Sequence, residues 1–207
     1  MRSLPLDRHG RPIPWFVATL DDGTRDPRIA DSDRWADAVR FRLCWVCGQK
    51  LGRHLAFVIG PMCAVNRVSS EPPSHRDCAI YSARACPFLA TPTMRRRTSN
   101  LPEHRESAGG VALARNPGVA LVWVTTGYHV ERVDGGHLVF FDDPTETQWY
   151  CEGRPATRAE VLASIDSGLP LLQAACQEDD DPQASLAALA SQHEQALKLL
   201  PVEDGRG

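Results

Sequence analysis

The chain has 207 residues, of which 43% are hydrophobic, and its formal net charge is −3 at pH 7. This composition favours a globular protein of one domain or two small lobes over a long repeat array. No stretch approaches the roughly 18 consecutive apolar residues of a membrane helix. Pro and Arg also interrupt the first 15 residues, where a signal peptide would be apolar. We therefore expect a cytoplasmic protein without a membrane partner.

Charge is distributed unevenly along the chain. Residues 1–107 contain 17 basic and 11 acidic side chains, whereas residues 108–207 contain 6 and 15. Between residues 40 and 105 alone there are 11 basic side chains and three acidic ones. Such asymmetry predicts either an anionic partner for the basic half or docking of the two halves on each other.

The first 43 residues contain signals for a strand and a helix. Residues 15–20 are rich in β-forming side chains and precede a turn-like run at 21–27, which predicts a strand that begins a hairpin. Asp31 or Ser32 can cap the next helix, because both side chains accept hydrogen bonds from backbone N–H groups. Apolar residues recur every four positions and give this helix one buried face that leads to Cys44: Trp35, Val39 and Leu43.

Five of the seven cysteines lie in one short stretch of the first half, which suits metal ligation by reduced thiolates better than a disulfide scaffold. Cys44 and Cys47 have the spacing of a zinc knuckle, in which backbone amides turn toward two thiolates. His75 and Cys78 stand three positions apart, so both face one side of the first turn of a helix. The two pairs predict a structural Zn²⁺ site with Cys44, Cys47, His75 and Cys78 as ligands.

The segments around these four residues have the order of a treble clef. Gly48 supplies the small residue that a knuckle needs, and residues 52–60 predict a hairpin after it. Residues 60–71 form an insertion in this scheme. Pro72 and Pro73 precede Ser74, which we expect to be the N-cap of the ligand-bearing helix.

Residues 91–110 are rich in Pro, Ser, Thr, Gly and charge and show no periodicity, which predicts a linker or a long loop. They separate two predicted parts of the chain. Residues 1–90 contain the N-terminal strand and helix and the zinc module. Residues 111–207 contain an antiparallel sheet followed by helices, and we expect the two parts to pack together.

The second part has strong local signals. Four short stretches between residues 118 and 153 predict antiparallel strands, with a tight hairpin at 134–136. Thr157 and Glu160 form a capping-box pattern at the start of a helix, which Gly168 should end, and Pro170 should begin another. A last amphipathic helix covers 184–200. The predicted fold class is α+β, a treble-clef-like zinc module plus a small antiparallel sheet with C-terminal helices.

Cys63 follows a helix-start signal and leaves three alternatives open. It is a packed core thiol, or it replaces His75 as a metal ligand, or it is a reactive thiol whose pKa the nearby Arg67 lowers. The remaining cysteines are most simply interpreted as buried small side chains: Cys86, Cys151 and Cys176.

Three stretches carry a resemblance to a known family: CWVCGQKLG, AFVIGPM and EPPSHRDCAIYSARACPFL. With their knuckle, their Pro-Pro-x-His-x-x-Cys segment and their trailing Cys-Pro-Phe-Leu, they resemble an uncharacterised family of bacterial and prophage-associated proteins. The resemblance covers roughly residues 40–90 and, more loosely, residues 152–172. It implies the same four zinc ligands and a phage-associated origin, and it implies no activity.

These features predict a non-enzymatic binding or regulatory protein whose fold depends on zinc. One candidate partner is nucleic acid, whose phosphates six arginines can contact: Arg53, Arg67, Arg76, Arg95, Arg96 and Arg97. The other is a protein, for which the chain acts as an adaptor or as an inhibitor of a host protein, since small zinc modules offer rigid surfaces. A third hypothesis is a thiol-dependent enzyme that uses Cys63.

Overall fold

The structure is a computed structural model, and it describes residues 4–91, 94, 116–133 and 135–202. Most of the predicted linker at 91–110 lies outside these residues. The described part contains five helices: α1 (Ser32–Phe41), α2 (Pro61–Asn66), α3 (Arg76–Ala85), α4 (Arg158–Cys176) and α5 (Pro182–Leu197). It contains nine strands: β1 (Val17–Thr19), β2 (Arg25–Ala30), β3 (Leu55–Ile59), β4 (Val68–Ser69), β5 (Ala120–Thr125), β6 (Tyr128–Val133), β7 (Gly136–Phe141), β8 (Glu146–Cys151) and β9 (Arg154–Pro155).

All strand pairs in the described residues are antiparallel, and they form sheets in the orders β1-β2, β3-β5-β8-β9 and β4-β7-β6. The predicted α+β class is therefore confirmed. Strand β1 and helix α1 lie where the sequence predicted them. The α1 N-cap is Asp31, whose side chain accepts a hydrogen bond from the backbone N–H of Arg34 at 3.1 Å.

Strand β3 connects the part of the chain before the linker to the part after it. It pairs with β5 along its whole length, from Leu55 opposite Thr125 to Ile59 opposite Leu121. Its other edge meets Ser74 in a single antiparallel bridge at Ala56. The hairpin predicted at 52–60 is therefore wrong, because residues 55–59 form a single strand whose long pairing is with β5. Strand β4 also pairs with β7, so two sheets contain strands from both parts.

Four strands after the linker, β5 to β8, match the four predicted stretches. The β6–β7 hairpin turns where predicted, and Gly135 there has φ +83°, a conformation that glycine adopts without the steric cost of a Cβ atom. Asp134 itself lies outside the described residues. All six residues of β5 are buried, as expected for a strand with a partner on each side.

The main hydrophobic core lies where β3, β5, β7 and β8 meet the helices α2, α4 and α5. Its largest fully buried side chains are Trp123, Phe57, Leu121, Ile165, Val65, Val139 and Val161. The predicted capping box at the start of α4 is present, with the Thr157 side chain and the Glu160 carboxylate each bonded to the other's backbone N–H.

The predicted break at Gly168 and Pro170 is wrong, because α4 continues through both residues. Gly168 is buried against α2, and a Cβ atom there would lie 2.7 Å from the sulfur of Met62, so the glycine permits close helix packing. Pro170 removes one helical hydrogen bond, to Asp166, but both residues are exposed and the freed carbonyl can be hydrated.

The last helix begins at Pro182 with Asp181 as N-cap, two residues earlier than predicted, and ends at Leu197. Within the described residues, no helix combines the length and the apolar character that crossing a membrane requires.

Candidate metal centre

The first half of the centre is a tight turn that follows α1. The backbone N–H of Gly48 donates to the carbonyl of Cys44 at 2.8 Å, and Gly48 has φ +72°. The N–H of Cys47 points to the sulfur of Cys44 at 3.5 Å. On either side of the turn, Leu43 and Lys50 form an antiparallel bridge. The turn therefore holds two thiols on one side, as a knuckle does.

The second half is the start of α3. Its N-cap is His75 rather than the predicted Ser74, because the backbone N–H and carbonyl of Ser74 are bonded to Ala56 at 2.7 and 2.9 Å. This bridge keeps Ser74 extended and moves the helix start by one residue. Cys78 then lies in the first turn, on the same side as His75. The N–H of His75 donates to the sulfur of Cys44 at 3.3 Å and so connects the two halves.

The four predicted ligand residues come together in space. The sulfur atoms of Cys44, Cys47 and Cys78 and a ring nitrogen of His75 all lie within 4.8 Å of one another. Two sulfurs bound to Zn²⁺ at about 2.3 Å in a tetrahedron would lie roughly 3.8 Å apart, so small shifts bring the cluster to bonding distance. Three thiols and one imidazole can hold a metal ion, and their type and number are consistent with zinc.

The two nitrogens of His75 have different neighbours. Nε2 lies 3.0 Å from the carbonyl oxygen of Lys50, an acceptor that requires the hydrogen on Nε2. Nδ1 faces the thiols, at 3.4 Å from the sulfur of Cys47 and 4.0 Å from that of Cys78. The backbone of Lys50 thus selects the tautomer with a free Nδ1 lone pair. This is the arrangement in which an outer hydrogen bond orients a metal-binding histidine.

Hydrogen bonds and burial shift the pKa values of the three thiols in different directions. The pKa of Cys44 is lowered to about 4, first by the hydrogen bond from the Cys78 thiol and further by the backbone N–H groups of Cys47 and His75. The same thiol–thiolate bond raises the pKa of Cys78, and burial raises the pKa of Cys47. One thiolate is therefore stable in this site, and the other two sulfurs need a cation to remain deprotonated.

An apolar shell encloses the centre on its inner side. Cys44 is 0% and Cys78 is 6% exposed, and they pack with Val46, Leu51 and Leu55. Cys47 and His75 are half-buried.

The segment before β1 covers the knuckle. The ring of Trp15 lies against Gly48, where a Cβ atom would be 2.7 Å from its Cγ, and the rings of Phe16 and Trp45 stack with centroids 4.9 Å apart. The sequence shows no local sign of these contacts, because Trp15 and Phe16 are about 30 residues from the turn they cover.

Cys63 lies outside the ligand cluster, on α2, and packs against the main core. Burial raises the pKa of its thiol, which disfavours the thiolate that a nucleophile needs. The reactive-thiol hypothesis requires Arg67 to lower the pKa of the Cys63 thiol. Arg67 is the C-cap of α2, and its side chain is bound to Asp143 and Gln195. Cys151 is buried as expected, whereas Cys86 and Cys176 are only half-buried, and all seven cysteines are free thiols.

Two of the predicted phosphate-binding arginines are bound to groups within the protein. Arg67 forms an ion pair with Asp143 at 2.7 Å, donates to Gln195 at 2.9 Å and lies over the buried ring of Trp123. Arg76 forms a two-pronged ion pair with Glu146, at 2.8 and 2.6 Å, and thereby ties the start of α3 to β8. This pair lowers the pKa of Glu146.

Of the other predicted arginines, only Arg53 is described, and it is exposed. Arg95, Arg96 and Arg97 lie outside the described residues.

Two surface depressions, of about 290 and about 570 Å³, lie away from the metal centre. The first, between α4 and α5, contains Cys176 and Ser185. The second lies along α3 and contains Tyr81 and Arg84. Within the described residues, neither lining contains a histidine.

Comparisons of the chain with protein-family models, with curated proteins and with solved structures give no match. The resemblance to a phage-associated family therefore stays a prediction, and the function has to be inferred from the geometry of the chain itself.

Proposed function

We propose that the metal is a structural zinc ion and that the centre is a treble-clef-like module. The observation that carries this proposal is the convergence of three thiols and the free Nδ1 of His75 within 4.8 Å. A site with four protein ligands has no open position for substrate, which is characteristic of structural rather than catalytic zinc. The order of knuckle, extended strand β3, bridge at Ser74 and helix α3 supports the treble-clef interpretation.

The zinc module serves, in this proposal, as the rigid part of a non-enzymatic nucleic-acid-binding protein. Residues 38–70 contain five basic side chains and no acidic one, and they include the knuckle and β3. Three thiolates and a neutral histidine around Zn²⁺ add only one negative charge. The module therefore keeps a positive surface, which attracts a phosphate backbone. Arg67 is internally paired, so the other four basic residues of the stretch, including Arg53, supply this surface.

Two measurements test this function on the full chain. Mass spectrometry under native conditions should find one zinc per chain, and replacing Cys44 and Cys78 with Ser should abolish that zinc. A labelled 20-nucleotide DNA should bind the zinc-loaded protein at 50 mM salt, and its affinity should fall roughly tenfold or more at 200 mM salt. The reason is that binding releases cations from the phosphates, and this release is less favourable when the salt concentration is higher. If the zinc-loaded protein binds no nucleic acid at either salt concentration, nucleic-acid binding is contradicted and a protein partner is favoured.

A further inference from the structure

The exposed surface beside the metal centre contains a group of side chains that the centre itself does not use. We name this group the basic rim, and it consists of Arg40, Phe41, Arg42 and Lys50, all of which are exposed. Arg40 and Phe41 end α1, and Arg42 follows in a left-handed conformation with φ +53°. Cations are favoured at this end of a helix, where the backbone carbonyls lack partners.

Backbone hydrogen bonds hold the two segments of the basic rim side by side. The N–H of Leu51 donates to the carbonyl of Arg42 at 2.8 Å, and the N–H of Cys44 donates to the carbonyl of Gln49 at 2.7 Å. The ammonium group of Lys50 donates to the carbonyl of Phe41 at 2.7 Å. Three cationic side chains and one aromatic ring therefore come from two adjacent segments, the end of α1 with Arg42 and the segment that carries Lys50.

The positive charge of the basic rim is not neutralised by neighbouring carboxylates. Among the described residues, Arg40 and Arg42 form no ion pair, in contrast to Arg67 and Arg76. Asp37, one turn before on α1, is the nearest acid in sequence, and it forms no ion pair in the described part of the chain either. Guanidinium groups without an acidic partner keep all their donors available for an anion.

Phe41 adds a feature that phosphate binding does not need. Its side chain is 45% exposed, and the guanidinium of Arg40 lies 5.0 Å from the ring centroid. An exposed ring next to cations matches the stacking platforms of proteins that bind single strands, where a base stacks on the ring while its phosphates meet arginine or lysine. In a duplex the base faces are covered by their neighbours, so the ring would find no partner.

We propose that the basic rim binds single-stranded nucleic acid, with a base on Phe41 and phosphates on Arg40, Arg42 and Lys50. This inference rests on the nucleic-acid binding proposed above, and it adds the surface and the class of strand. The metal centre supports the rim directly, because Nε2 of His75 is bonded to the carbonyl of Lys50. The zinc ion thus fixes the position of the segment that carries one of the three cations.

Fluorescence anisotropy on the zinc-loaded full chain tests the charged part of the proposal. The probe is a labelled 20-nucleotide single strand, compared with the same sequence as a duplex. The variant Arg40→Gln/Arg42→Gln/Lys50→Gln should bind the single strand at least about tenfold more weakly. The negative slope of log affinity against log salt should become shallower by about two, as expected for three lost phosphate contacts. The control Arg25→Gln/Arg84→Gln/Arg132→Gln removes the same charge from exposed residues outside the rim and should stay close to wild type.

The ring is tested separately. Phe41→Ala should weaken single-strand binding by about tenfold and leave duplex binding unchanged, because stacking on one base is worth of the order of 1.4 kcal/mol, which is tenfold in affinity. Tyr81→Ala is the matched control, since Tyr81 is similarly exposed at 41% but lies on α3. Far-UV circular dichroism and zinc content should be unchanged in every variant, which excludes misfolding as the cause.

The possible results separate this inference from the proposed function. If the wild-type chain binds neither strand nor duplex, nucleic-acid binding itself is wrong. If it binds but the rim variant equals its control, binding stands and the rim is the wrong surface. If Phe41→Ala has no effect and duplex binds as well as single strand, the assignment to single strands is overturned. If polyglutamate displaces the labelled oligonucleotide more effectively than an unlabelled single strand of equal charge does, the rim binds an acidic protein and the proposal is overturned.

Discussion

The main core and the metal centre are held together in different ways. In the described part of the chain, eighteen buried residues form the main core, and among them are three tryptophan or phenylalanine side chains with less than 5% exposure, Phe57, Trp123 and Phe141. Around the candidate metal centre, the described residues contain a cluster of five buried residues, and two of them, Cys44 and Cys78, are candidate ligands. A cluster of this size has little apolar surface to bury, so in the proposed zinc module we expect its order to depend on the ion.

Strand β3 is where the two regions meet. Leu55, at its start, belongs to the cluster around the metal, whereas Phe57 and Ile59 belong to the main core. The pairing of β3 with β5 does not involve the ligands. Loss of the metal should therefore open the knuckle and the start of α3, and the opening should stop within β3.

The largest expected effect is that of metal removal. Structural zinc binds zinc-finger peptides with about 10–16 kcal/mol of apparent free energy at pH 7, which is more than the five-residue cluster can replace. After chelation we expect amides at 44–51 and in the first turn of α3 to exchange with solvent orders of magnitude faster, while amides of α4 and β5 stay protected. Hydrogen exchange read by mass spectrometry measures both regions at once. Unchanged protection at 44–51 would mean that the centre holds itself together without an ion.

A substitution in the main core should disturb that region and leave the metal centre intact. Ile165, on α4, is fully buried in the main core, so Ile165→Ala should lower the free energy of unfolding by about 2–5 kcal/mol. The same variant should keep one zinc per chain under native conditions, because Ile165 belongs to the main core and the candidate ligands Cys44, Cys47 and Cys78 to a separate cluster.

What could be predicted from the sequence was local. The ligand pairs, the hairpin at 134–136 and the capping box at Thr157 each depend on residues a few positions apart, whose spacing alone fixes their geometry. Meeting of the two ligand pairs was also predictable, because a zinc ion needs four ligands and each pair supplies two.

What could not be predicted depends on contacts between distant segments. Arg76 pairs with Glu146, 70 positions along the chain, and no local pattern shows that it is not free to meet a phosphate. Gly168 and Pro170 have the chemistry of a helix end, yet packing of α4 on α2 overrides it. Strand β3 likewise takes a partner from beyond the linker. Tertiary contacts decided each of these cases against a local preference.

The third effect concerns the knuckle itself. Gly48→Ala places a Cβ atom 2.7 Å from the ring of Trp15 and also requires a left-handed backbone at φ +72°. The control Gly23→Ala requires the same backbone, at φ +78°, but nothing lies within 4 Å of its Cβ. We expect Gly23→Ala to cost about 1 kcal/mol of stability and Gly48→Ala at least twice as much.

Only Gly48→Ala should also weaken zinc binding, because moving Trp15 or the turn displaces Cys44 and Cys47. Urea unfolding measures the cost in stability, and competition with a chelator of known affinity measures the change in zinc binding. Equal costs for the two variants would show that the contact of Trp15 with the knuckle is unimportant.

The smallest expected effect concerns the start of α4, which lies outside the metal centre. The pKa of Glu160 is lowered from 4.5 to about 2, first by its hydrogen bond with Arg154 and then by the backbone N–H of Thr157. A carboxylate with a lowered pKa contributes its stability above the ordinary value, and that stability is lost as the pH falls from about 4.5 through about 2.

Glu160→Gln keeps the capping pattern but loses the charge that Arg154 binds. Since this pair is partly exposed, with the Arg154 and Glu160 side chains 49% and 29% exposed, we expect the variant to lose only about 0.5 kcal/mol at pH 7, and the difference from wild type should shrink below pH 4.5. Glu152→Gln is the control, because Glu152 stands 4.0 Å from Arg154 and should change little. Urea unfolding of α4, followed by circular dichroism at several pH values, makes the comparison. At acid pH Glu160 is protonated in the wild type, which removes the same charge that the substitution removes. A difference in unfolding free energy that grows toward acid pH would therefore contradict a stabilising Glu160 carboxylate.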